Sequence, residues 1–99
     1  MNEEVREIRL RDLYLAAYLL SQGVPYARLE WVSAGQAEFC FAPSDRLEAD
    51  HAEQLRRAWV NQTAECEAVR FTSAIKTLKI EVHQSGRNAT PLVEYRRAR

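Results

Sequence analysis

A chain of 99 residues has room for one hydrophobic core and not for two. Hydrophobic residues make up 46% and charged residues 28%, which excludes a disordered chain, and no run approaches the roughly 18 apolar residues of a spanning helix. The 14 Lys/Arg balance 14 Asp/Glu, so a strongly electrostatic binder is disfavoured, although residues 1–50 carry 5 basic against 9 acidic groups and residues 51–99 carry 9 against 5.

The acidic start, Met1-Asn2-Glu3-Glu4, is unlike a secretory signal, and Cys40 and Cys66 fall in different predicted elements. The expectation is a soluble cytoplasmic domain with two reduced thiols and no membrane partner.

From Leu10 to Gln22, residues Leu13, Ala16, Ala17 and Leu20 recur at helical spacing, and Gly23 stands where a left-handed cap is wanted. Leu15 and Leu19, flanked by Tyr14 and Tyr18, fill the other side of this first helix. A helix apolar nearly all round is either central in its own chain or covered by a second one.

Ala27 to Ser33 and Gln36 to Ala42 both alternate, with Leu29, Trp31, Ala37, Phe39 and Phe41 opposed to Arg28, Glu30, Val32, Glu38 and Cys40. Ala34-Gly35 between them predicts an antiparallel hairpin. Pro43 closes the second strand, and Ser44 reads as the N-cap of a helix over residues 45–61 with Leu47, His51, Leu55, Ala58 and Trp59 inward and Glu53 paired to Arg57.

A third helix over residues 67–84 carries Phe71, Ala74, Ile75, Leu78 and Val82 as one stripe, and Gly86 is expected to end it. The reading is an α+β fold of order α-β-β-α-α: a compact domain over residues 1–86 with an antiparallel hairpin on three helices, then a basic tail over residues 87–99. The open edges of the hairpin have two candidate partners in the chain, Val5 to Leu10 and, after Pro91, Leu92 to Tyr95. The expected core is Leu13, Ala17, Leu20, Leu29, Trp31, Phe39, Phe41, Leu55, Trp59, Phe71, Ile75 and Leu78.

Asp12-Leu13 with Ala16-Ala17-Tyr18-Leu19 and Gly23, the hairpin with Phe39 and Phe41, and Phe71, Ala74, Leu78 and Lys79 resemble a small family of bacteria and their phages that is catalogued only as a domain of unknown function. The resemblance covers about Arg9 to Val82. It implies the fold and brings no catalytic residue with it.

Chemistry is sparse in the sequence. Cys40, Cys66, His51 and His83 show none of the paired spacings of a structural metal site, Ser44 beside Asp50 and His51 is explained as a helix cap, and the three glycines stand at element ends rather than in a phosphate loop. No enzyme, cofactor or metal is expected.

A basic line of Lys76, Lys79 and His83 on the third helix, continued by Arg87 and joined by Arg56, Arg57, Arg96, Arg97 and Arg99, reads as a solvated face or as a nucleic-acid contact. Trp31, Trp59, Tyr14, Tyr18 and Tyr26 read as core aromatics, since Glu30 and Glu38 on the hairpin would repel phosphates. The expected function is a non-catalytic interaction or adaptor module that self-associates as a homodimer or higher homo-oligomer through Leu15, Tyr18, Leu19, Leu92, Val93 and Tyr95. Another protein is a second candidate partner, and an accessory nucleic-acid-binding protein is the alternative reading.

Overall fold

The computed structural model describes residues 5–89, with side chains through Ser85. The elements in chain order are β1 (Ile8–Leu10), α1 (Leu13–Ser21), β2 (Tyr26–Ser33), β3 (Gln36–Phe41), α2 (Arg46–Val60) and α3 (Ala68–Ala89). The fold is α+β, with three helices and one antiparallel sheet ordered β1-β3-β2. The hairpin therefore gains a third strand from the first of its two candidate partners, and β3 becomes the central strand. The second candidate, Leu92 to Tyr95, lies outside the described residues.

Alternation sets the two faces of the sheet. Ile8 opposes Phe41 and Leu10 opposes Phe39, while on the other side of β3 Tyr26 faces Phe41 and Leu29 faces Phe39. All six side chains point to the helices. Arg9, Cys40 and Arg28 form the next row on the opposite face. The hairpin turns at Ala34-Gly35, where Gly35 takes a φ of 84° that a side chain would resist.

Helix α1 starts where Asp12 accepts hydrogen bonds from the amides of Tyr14 and Leu15, and no earlier than Leu13. It ends as a Schellman turn: Gly23 at φ 91° donates to the Leu20 carbonyl, and Val24 donates to that of Leu19, both at 3.1 Å.

Ala16, Ala17 and Leu19 are wholly buried and Tyr18 nearly so. Helix α1 is thus the central helix, packed chiefly on α3 and also on α2 and β1. Two members of the expected self-association patch, Tyr18 and Leu19, are covered by their own chain, Tyr18 against Trp59 at 5.4 Å between ring centres, and Leu15 packs on the same core.

Helix α2 keeps the expected Leu55 and Trp59 against the core but departs from expectation over its first turns. Its cap is Asp45, whose carboxylate accepts from the Glu48 amide at 2.9 Å, while Ser44 donates both N–H and O–H to Glu48 Oε1. The buried position is Ala52, with Leu55 and Trp59 behind it; Leu47 is 78% exposed and His51 is also exposed. Leu47 and His51 share a face with Leu55, yet Ala52 rather than either of them is the buried position of the helix, which packs on α1.

Helix α3 carries its stripe as expected, with Ala74 and Leu78 buried and Phe71, Ile75 and Val82 packed beside them. It does not stop at Gly86 but continues to Ala89. Two side-chain bonds tie it along β2: Tyr26 Oη donates to Glu81 Oε1 at 2.7 Å, and Trp31 Nε1 donates to Ser85 Oγ at 2.7 Å. Burial, then the Glu81 bond, push the Tyr26 phenol well above its ordinary pKa.

Candidate interaction surfaces

The outer face of the sheet is a lattice of fixed charges. Glu30 on β2 stands directly opposite Glu38 on β3, a like-charged pair that would destabilise a bare hairpin. Arg9 resolves it from β1: its Nε donates to Glu38 Oε1 at 2.8 Å, and its Nη2 reaches across β3 to Glu30. Arg28 donates to Glu7 at 2.7 and 3.0 Å and to Glu30 at 2.9 Å, and Arg11 approaches Glu38 at 3.6 Å.

Cys40 makes this span feasible. It sits between Arg9 and Arg28 in the row across the sheet, small enough for both guanidinium arms to cross above it, and it is wholly buried. Burial pushes its thiol above the ordinary range. Among the described residues no group of three or more His, Cys, Asp or Glu could hold a metal ion.

The lattice predicts acid sensitivity with a definite sign. Hydrogen bonds from Arg28 to Glu7, from Arg9 and Arg28 to Glu30, and from Arg9 to Glu38 hold all three carboxyls below their ordinary value of 4.5. The folded state then binds fewer protons than the unfolded one, so the stabilisation is full above that value and fades as pH falls through the lowered ones. Melting temperature should drop between about pH 5 and pH 3, and Glu30→Gln should flatten that slope. An unchanged slope in the variant would contradict the lattice.

A groove of about 430 Å³ opens on the inner side of the sheet, toward the hairpin turn. Leu13 of α1, Trp31, Ala37 and Phe39 of the sheet and Val82 of α3 line it, with Gly35 at its end. Two cations line it from separate elements, Arg11 at the β1–α1 junction and Lys79 on α3, with His83 one turn beyond Lys79. No ion pair joins Lys79 among the described residues.

Among the described residues, the members of the expected basic face have different surroundings. Lys79 stands at the groove and Lys76 is exposed one turn earlier on α3, whereas Arg56 and Arg57 both turn to Glu53, at 3.9 and 3.7 Å. Those two arginines line a separate hollow with Val60 and Asn61. Arg87 is carried on the last turn of α3, and Arg96, Arg97, Arg99, Leu92, Val93 and Tyr95 lie outside the described residues.

Arg11 and the lattice partners Glu7 and Arg9 were not singled out by sequence reasoning. Their signal was alternation continuing upstream of the first helix, from Glu7 through Arg9 to Arg11, in phase with the charged positions of the hairpin.

No helix of the described residues is long and apolar enough to cross a membrane. Geometry defines a small α+β domain whose three-stranded sheet is charged on one face and covered by helices on the other. The family model described as Domain of unknown function (DUF5659) matches residues 5–84, and the chain belongs to that family. No curated protein and no solved structure matches it.

Proposed function

We propose that the chain is a non-catalytic interaction module that self-associates through the free edge of β2. The observation that carries this reading is the edge itself: β2 bonds to β3 on one side only, and among the described residues no strand lies against the other. Exposed strand edges pair with further strands unless something blocks them.

A second copy fits the edge by charge. In a two-fold antiparallel pairing centred on Leu29, Arg28 of each copy lies opposite Glu30 of the other on the outer face, and Leu29 meets Leu29 on the inner face. Shifting the register by one pair would place Glu30 against Glu30, which charge disfavours. The result is a continuous six-stranded antiparallel sheet.

Irregular pairing between Tyr26 and Arg28 and again between Trp31 and Ser33 limits the regular edge to Arg28–Trp31. Such irregularities guard edges against open-ended growth, so one short partner strand and a closed dimer are favoured over a fibre. An edge this short gives a small interface, and dissociation on the order of tens of micromolar is expected.

Sedimentation across that concentration range tests the reading. The wild type should shift from monomer to dimer, Glu30→Lys, which sets like charge against Arg28 of the other copy, should remain monomeric, and deletion of residues 88–99 should leave the dimer intact. A wild type that stays monomeric at high micromolar concentration overturns the reading. A dimer lost with the tail alone reassigns the edge to Leu92 to Tyr95.

A further inference from the structure

We infer that the groove between α3 and the β1–α1 junction is a docking site for an acidic peptide segment of another protein, one that carries a large aliphatic residue between carboxylates. The inference goes beyond self-association, because none of the groove's residues except Trp31 belongs to β2.

The lining dictates the chemistry of the ligand. Leu13, Phe39, Ala37 and Val82 offer an apolar bed with no hydrogen-bonding side chain, which suits an aliphatic group. Trp31 adds its indole, held in place through the bond to Ser85. The volume of about 430 Å³ lies within the usual ~300–1,000 Å³ of binding sites and admits one large side chain with its flanking backbone.

Charge selects the flanks. Arg11 at the β1–α1 junction and Lys79 on α3 line the groove from separate elements, so a ligand seated in it meets two cations beside its apolar anchor. Carboxylates at both flanks satisfy them, and a single terminal carboxylate would satisfy only one of the two. Lys79 needs no desolvated partner broken before it can bind, and Arg11 is 64% exposed at 3.6 Å from Glu38, so its own ion pair is loose.

Nucleic acid fits the same lining less well. Strand binding calls for several convergent phosphate contacts and open aromatic faces. Here only two cations line the groove, Glu38 stands beside one of them, Arg11, and Phe39 is 4% exposed, leaving Trp31 as the one partly open indole or phenyl ring of the lining.

Fluorescence anisotropy on the full chain tests the inference with three labelled probes: a heptapeptide of glutamates around a central leucine, the same peptide with a central serine, and a short oligothymidylate. The leucine peptide should bind about tenfold more tightly than the serine peptide, and added salt should weaken it. Lys79→Glu should weaken it about tenfold again. Lys79 is exposed, so this variant keeps the fold, and its melting curve serves as the control.

Equal binding of the two peptides overturns the inference, as does leucine-peptide binding indifferent to Lys79→Glu. Oligothymidylate binding that Lys79→Glu abolishes, without peptide binding, hands the groove to nucleic acid. A monomeric protein that captures the leucine peptide keeps this inference and loses the self-association reading, and a dimer that captures no peptide does the reverse.

Discussion

Phe41→Ala is expected to cost about 3–5 kcal/mol, against a total stability of roughly 5–15 kcal/mol for a domain of this kind. Phe41 is wholly buried at the centre of the sheet, flanked by Ile8 on β1 and Tyr26 on β2, with the Tyr26 ring 5.2 Å away edge-on. Truncation leaves a cavity that three strands and the helices above them cannot close together. Leu47→Ala provides the contrast, since a leucine that is 78% exposed should change stability by no more than ~0.5 kcal/mol. Chemical denaturation of the two variants checks both, and a large loss at Leu47 would show that α2 sits in the register the sequence suggested.

The second large effect is in thiol chemistry. Cys66 is exposed in the loop before α3 and should react freely with an aromatic disulfide reagent. Cys40 lies under Arg9 and Arg28 with its thiol pushed up by burial, so it should react only through unfolding. At a stability of roughly 5 kcal/mol or more, its rate should be at least about a thousandfold slower, and in denaturant the two should converge. Comparable rates in the native protein would mean that the guanidinium arms do not cover Cys40.

Phe39 and Phe41 were legible because strict alternation between Pro-Ser and Ala-Gly punctuation has few other solutions. Strand β1 was harder, because Ile8–Leu10 is three residues long and its pairing with β3 joins positions about thirty residues apart. Helix α2 failed at its first turns: Leu47, His51 and Leu55 fit a helical stripe, but Ala52 is the buried position while Leu47 and His51 are exposed.

The charge lattice was concealed for a different reason. Glu30 and Glu38 read as repulsive in the hairpin alone, and only Arg9, arriving from β1 over the small Cys40, turns them into a bridged set. The groove depends likewise on four elements meeting, α1, β2, β3 and α3, and of its basic residues Lys79 and His83 lay on the noticed line while Arg11 did not. Spacing within an element is a local signal; which elements become neighbours is decided by packing of the whole core.

The central claim, that β2 edges pair around Leu29, fixes a distance. A spin label at Val32→Cys in a Cys66→Ser background occupies one site per chain, because Cys40 is buried. In the proposed register each label is three residues from the two-fold axis, so the two backbones stand about 20 Å apart along the strands at ~3.3 Å per residue. Pulsed dipolar spectroscopy above the dimer midpoint should return a single distance near that value, broadened by the label arms. Absence of any dipolar signal, or one centred far beyond that separation, would contradict the pairing.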